Sequence, residues 1–172
     1  GTTKRDGFVF SGSTYLDFTP IKELVITSRL GYRYTYSNSY GYVMPNITCS
    51  DLYQDYVSVS ATSSNTTYWQ WENFANYMKK FGDHTVNAMV GMSFQESTYD
   101  YVQGGLQANG EDAVKKNNPL FYYLNFASAS ATKSVGGEKT RSAKYSYFGR
   151  LSYDYKNRYY LQASLRADAA DL

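Results

Sequence analysis

Residues able to do covalent or metal chemistry are scarce, with a single histidine and a single cysteine among 172 residues. His84 stands two positions after Gly82 in Phe81-Gly82-Asp83-His84, where it reads as a turn residue rather than a general base. A His/Cys metal centre needs several such ligands together, so neither a metal nor a cofactor is expected. Cys49 lies beside Asn46, Ser50 and Asp51 in a polar, loop-like stretch. Alone, it excludes an internal disulfide framework and reads as an inert thiol. No residue qualifies as catalytic.

Two groups remain that bind rather than react. Asp154, Asp168 and Asp171 interleave with Arg150 and Arg166 near the C-terminal end, and are expected to form a water-lined network of ion pairs. Tyr53, Tyr56, Tyr99, Tyr101, Phe121, Tyr122 and Tyr123 fall in polar stretches. Flat sugar faces stack on such rings, which makes them candidate ligand contacts, although large loops also fold on themselves through Tyr and Phe.

These residues must be positioned by a framework rich in rings. Tyr occurs 20 times and aromatic residues make up 18% of the chain, yet the mean hydropathy of −0.54 is polar. Side chains of that kind suit β-strands and wet interfaces. Leu24-Val25-Ile26 is the longest aliphatic run, far short of the roughly 20 apolar residues of a spanning helix. No secretion-signal pattern opens the chain, whose polar start and strand-like end read as those of an internal piece. A formal charge of +2, with 17 scattered Lys and Arg, leaves no electrostatic footprint for nucleic acid.

A two-residue period places alternate side chains on opposite faces of a strand. Leu24, Ile26, Leu30, Tyr32, Tyr34 and Tyr36 share one face, against Thr27, Arg29, Gly31, Arg33 and Thr35. Val86, Ala88, Val90, Met92 and Phe94 oppose Thr85, Asn87, Met89, Gly91, Ser93 and Gln95. Tyr145, Tyr147, Gly149, Leu151, Tyr153 and Tyr155 oppose Lys144, Ser146, Phe148, Arg150, Ser152 and Asp154; Tyr159, Leu161, Ala163, Leu165 and Ala167 oppose Tyr160, Gln162, Ser164, Arg166 and Asp168. Phe8 to Phe18 and Tyr68 to Lys80 alternate less cleanly, the latter with Trp69, Trp71, Asn73, Ala75 and Tyr77 on one face.

Connection lengths alternate too. Short turns fall at Thr19 to Glu23, at Gly82-Asp83 and at Lys156-Asn157-Arg158, each with the residues hairpins need. Long polar stretches, from about Val43 to Thr67 and from Ser97 to Ser142, read as loops. Such loops are uncommon in compact soluble domains. Outer-membrane barrels have this asymmetry, with strands of about ten residues, an apolar lipid face and a polar lumen face. The expected fold is all-β, an antiparallel up-and-down meander of six strands forming part of a large transmembrane β-barrel with long extracellular loops. Arg29, Arg33, Arg150, Asp154, Arg166 and Asp168 are then lumen-facing.

The stretch from Tyr145 to Asp168, with Tyr147-Phe148-Gly149-Arg150, Tyr153, Tyr155, Arg158-Tyr159, Leu161, Ser164, Arg166 and Asp168, resembles the hairpin of SusC/RagA-type TonB-dependent transporters. Phe81 to Gly91, Trp71-Glu72-Asn73 and the turn at Thr19 to Glu23 are similar to the same family. The chain departs from it after Asp168, where Ala169-Ala170-Asp171 replaces the usual Gly and Ser. The resemblance implies a parent barrel of about 22 strands with a plug. It also implies import of a glycan or peptide captured by a SusD-like surface lipoprotein and powered through the TonB complex. On this reading the protein sits in the bacterial outer membrane, and residues 1–172 supply barrel wall and outer loops, without plug or remaining strands. The alternatives are a soluble carbohydrate-binding or adhesin-like β-domain and a passive porin. Asn46 and Asn65 open glycosylation sequons, which carry no weight in a bacterial protein.

Matching the apolar faces fixes a register in the last hairpin. Tyr153 falls opposite Leu161, Leu151 opposite Ala163, Gly149 opposite Leu165, Arg150 opposite Ser164 and Phe148 opposite Arg166. Arg166 is expected to stack on Phe148 and to reach Asp168 or Asp154 through water.

Overall fold

The computed structural model describes residues 2–44, 46–49, 52–54, 56–109, 123–126 and 130–171. Its strands are β1 (Thr2–Ile21), β2 (Leu24–Val43), β3 (Asn46–Cys49), β4 (Leu52–Gln54), β5 (Tyr56–Phe81), β6 (His84–Asn109), β7 (Thr132–Tyr155) and β8 (Tyr159–Asp171). Six of them form one sheet in the order β1-β2-β5-β6-β7-β8, an antiparallel meander, while β3 and β4 make a separate hairpin. All six alternating segments of the sequence lie in the large sheet, in chain order.

The strands outrun the sequence pattern, since β5 and β6 each extend over 26 residues. Much of what reads as loop between Val43 and Thr67 and between Ser97 and Ser142 is therefore strand. The cause is that ladder hydrogen bonds need only backbone groups; where both faces carry polar side chains, the period vanishes while the pairing continues. Cys49 sits in β3 and Asn65 in β5, not in loops. Gly104-Gly105 and Gly136-Gly137 lie within β6 and β7. Asn117-Asn118-Pro119 and most of the run from Ala127 to Ala131 fall outside the described residues.

Each tight turn has a local cause. Between β1 and β2 it narrows to Lys22-Glu23, because Thr19, Pro20 and Ile21 continue β1. Gly82 between β5 and β6 takes a φ of 59°, a left-handed angle that glycine adopts freely. Between β7 and β8, Lys156 and Asn157 both take φ 53°. There the Arg158 N–H donates to the Tyr155 carbonyl at 3.0 Å, and the Asn157 N–H donates to Asp154 Oδ1 at 2.9 Å. The hairpin beyond it has the register that the apolar faces demand, with Tyr153 opposite Leu161, Leu151 opposite Ala163, Gly149 opposite Leu165, Arg150 opposite Ser164 and Phe148 opposite Arg166.

The chain divides into two compact units. The first comprises Gly1–Val9, Thr35–Thr66 and Tyr99–Thr140, and it has a small conventional core of Val57, Val59 and Leu106 with Tyr40 and Tyr42 packed against it. The second comprises Phe10–Tyr34, Thr67–Thr98 and Arg141–Leu172. There the buried residues are Thr27, Ser93, Ser146 and one small apolar residue, Ala143, whereas Leu16, Val90, Leu151, Leu161 and Leu165 are exposed. Ser146 is 1% exposed and Leu165 79%, the reverse of a water-soluble interior.

Gly91 marks the closest packing in the second unit. A Cβ there would stand 2.6 Å from Phe148 ring atoms and 2.7 Å from Phe74 Cβ, while one at Gly31 would meet nothing within 4 Å. Phe148 therefore lies across bare backbone, a device that shields a strand glycine. Gly91→Val is expected to destabilise the barrel by about 1–3 kcal/mol through overpacking, and Gly31→Val to leave stability unchanged or raise it. Denaturant unfolding of the two variants, side by side in the same detergent, measures the difference.

Candidate functional site

The apolar face of the second unit is bounded at each end by a cluster of rings. At the turn end, His84 stacks on Phe81 at 5.5 Å and meets Tyr153 at 5.8 Å and Tyr155 at 5.0 Å. His84 Nδ1 and the Tyr153 hydroxyl share a 2.5 Å hydrogen bond, so the sole histidine has a structural role. Ten residues further along β6, Phe94 meets Trp69 at 4.6 Å and Tyr145 at 4.5 Å. At about 3.3 Å per residue and a tilt near 40°, that separation is about 25 Å across a bilayer, the height of an outer-membrane apolar band. Between the clusters the face carries Val86, Ala88, Val90 and Met92 on β6 and Tyr147, Gly149 and Leu151 on β7. Rings with a polar edge favour both boundaries of such a band.

One position beyond Phe94 on the same face, apolar residues give way to charge. Glu96 accepts from Arg141 Nη2 at 2.6 Å and Nε at 3.0 Å, and from Trp69 Nε1 at 3.3 Å. The hydrogen bond from Arg141 holds the Glu96 carboxyl below its usual range, with Trp69 assisting. This clamp escapes a reading by residue type, although its parity is visible: Glu96 follows Phe94, and Arg141 precedes Tyr145, each on the apolar side of its strand.

The opposite face is polar and internally bonded. Asp17 Oδ1 accepts from the Thr27 hydroxyl at 2.6 Å, and Arg29 pairs with Glu72 at 3.7 Å while lying 5.9 Å from the Phe74 ring centre. Arg166 Nε donates to both Asp168 oxygens, at 3.0 and 3.1 Å, and its Nη2 to Ser146 Oγ at 3.1 Å. Arg166 thus reaches Asp168 directly rather than through water, and Phe148 is turned toward Gly91. Asp154 serves the β7–β8 turn instead of an arginine, and Arg33 and Arg150 form no ion pair among the described residues. The expected network contracts to Arg166–Asp168 because each carboxylate takes the donor nearest along its own strand or turn.

Of the candidate ligand rings, the side chains of Tyr56, Tyr99, Tyr101 and Tyr123 are among the described residues. Tyr99 and Tyr101 meet at 5.8 Å. In the same unit the Tyr123 ring lies tilted against Tyr40 at 5.7 Å, and Leu124 would touch a Cβ on Gly104 at 2.8 Å. By alternation along β6, Gly104 and Leu106 share one face, and Tyr99 and Tyr101 the other. Burial pushes the Tyr40 hydroxyl up in pKa. Tyr56 opens β5 and the backbone of Tyr53 lies in β4, whereas Phe121 and Tyr122 fall outside the described residues. Among the described residues no group of acids, His or Cys could hold a metal, and no helix is long and apolar enough to cross a membrane.

A soluble β-domain would close two sheets over an apolar core. The second unit instead exposes its apolar face between two ring belts and bonds its polar face internally, which is the build of an outer-membrane β-barrel wall. No family model matches the chain. It is 35% identical over 108 residues to TonB-dependent receptor P39 of Formosa agariphila, covering 62% of the chain and 10% of that protein. TonB-dependent receptor P26 of the same organism is 27% identical over 174 residues, or 95% of the chain and 16% of that protein. The chain therefore spans between a tenth and a sixth of these relatives. In fold it matches the RagAB peptide transporter with a TM-score of 0.83 at 17% identity, over 98% of the chain and 18% of that structure's chain. The siderophore receptor PiuA from Acinetobacter baumannii gives 0.53 at 13% identity, over 98% of the chain and 26% of the receptor. The chain is similar to TonB-dependent receptors of the bacterial outer membrane and has the fold of a section of their barrel wall. These relatives are named as receptors, neither enzymes nor porins.

Placing an arginine at Leu151, on the apolar face between the belts and two residues from Tyr153, is expected to cost up to about 2–4 kcal/mol, the figure for the bilayer midplane. Arg166→Leu removes an exposed, solvent-screened pair and is expected to cost less. Reversible urea unfolding of the intact barrel in lipid checks the order, and the opposite ranking would invert the two faces.

Proposed function

We propose that this chain is wall and outer hairpins of a TonB-dependent importer in a nutrient-utilisation system, with its polar face toward the lumen and a glycan as cargo. The rest of the parent protein supplies the plug and the remaining strands. A SusD-like surface lipoprotein captures the oligomer, and the TonB complex provides the energy. The observation that carries the reading is the pairing, in the second unit, of an apolar face sized to a bilayer with a polar face bearing arginines and amides, and the first unit adds the half-exposed rings Tyr99 and Tyr101. Hydroxyl-rich oligomers exchange hydrogen bonds with such side chains and stack on the rings.

Peptide cargo is the second reading, favoured by the likeness to the RagAB peptide transporter. At 17% identity that likeness speaks to the fold and leaves the cargo to the lumen side chains. Disabling the parent gene is expected to abolish growth on one oligomeric glycan while leaving growth on its monomer intact. Loss on peptides alone would favour the second reading, and unimpaired uptake of every oligomer would defeat both.

A further inference from the structure

The polar face of the second unit contains a cleft of about 260 Å³. It is smaller than the roughly 300–1,000 Å³ of a pocket for a drug-sized molecule, and so is scaled to one unit of an oligomer. Lys144, Gln95, Ser97, Ser142 and Tyr68 line it, with Ala170 leaving room on one side. By strand alternation these residues belong to the same face as Ser146, Phe148 and Arg166.

The donors and acceptors of this cleft are unbalanced. Lys144 brings three N–H donors and a charge, Gln95 an amide, and Ser97 and Ser142 hydroxyls. Tyr68 donates its own proton to Gln70 Oε1 at 2.9 Å, which leaves its oxygen lone pairs as acceptors. No carboxylate lines the cleft. Asp168, diagonal to Lys144 across the β7–β8 ladder and within its electrostatic reach, is hydrogen-bonded by Arg166, and Glu72 pairs with Arg29. Lys144 itself forms no ion pair among the described residues. A cation surrounded by neutral donors, with its neighbouring carboxylates already engaged, is matched by an anionic oxygen group flanked by hydroxyls.

We propose that this cleft is a subsite for an acidic sugar unit, whose carboxylate or sulfate meets Lys144 while its ring hydroxyls bond to Gln95, Ser97, Ser142 and the Tyr68 oxygen. The assignment rests on the glycan reading of the cargo and narrows it to anionic glycans. Because the contact is between opposite charges at a wet surface, its strength falls with ionic strength.

Calorimetric titration of the intact parent transporter in detergent tests it. The probes are an oligogalacturonate, a sulfated galactan oligomer, an uncharged galactan oligomer and an acidic tripeptide. One of the two anionic sugars is expected to bind more tightly than the uncharged one. Lys144→Gln is expected to weaken that binding about tenfold, the scale of one charge-assisted hydrogen bond, without changing the uncharged oligomer. Lys144→Arg restores most of the loss, which a mere packing role would not predict. Equal binding of charged and uncharged sugars, or an equal loss for both in Lys144→Gln, overturns the subsite. If the acidic tripeptide alone shows the Lys144 dependence, the sugar assignment falls and the cleft is an anion site for peptides.

Discussion

In hydrocarbon a backbone amide has no water to turn to, so every N–H and C=O within the bilayer must find its partner in the protein. Between the outer sides of β1 and β8 this chain answers that requirement by pairing: six strands bonded to their neighbours in chain order, joined at one end by turns of two or three residues. Once the ladder supplies cohesion, side chains on the outer face are released from building a core. They need only be apolar in the middle and amphipathic at the boundaries. The placement of Val90 and Leu151 between the belts anchored by His84 and by Phe94 follows from that single demand.

The same demand explains what could be read from sequence and what could not. Where one face meets lipid and the other water, alternation is sharp, and a slip of one residue would move the whole apolar set to the wrong side. The β7–β8 register was therefore legible down to individual pairs. Beyond the belts both faces meet water or other protein, selection for alternation relaxes, and β2, β5, β6 and β7 continue through residues that look like loop. Partner choice was the least legible layer. Arg166 had several carboxylates within reach on paper, and only the position of Asp168 two residues along the same strand face decided between them. The clamp of Glu96, Arg141 and Trp69 joins residues far apart in sequence, so composition and local spacing do not announce it.

The two units divide the physics between them. In the first, Val57, Val59 and Leu106 gather under Tyr40 and Tyr42 as they would in any water-soluble domain. In the second, serine and threonine are the buried side chains, and the rings act as boundary markers. Phe148 across Gly91 shows that even a polar face needs shape complementarity, since a side chain on Gly91 would displace the ring that shields its backbone.

At the tight-turn end, neighbouring hairpins are also tied to each other. The Lys156 N–H donates to the Asp83 carbonyl at 2.8 Å, its ammonium lies 3.6 Å from the Asp83 carboxylate, and the Met78 N–H donates to the Glu23 carbonyl at 2.8 Å. A residue inserted in one of these turns would pull its neighbour out of place, so their lengths can drift only in concert. Over evolutionary time the tight-turn rim is thus built to refuse insertions and deletions, so that each hairpin keeps the count its neighbour depends on.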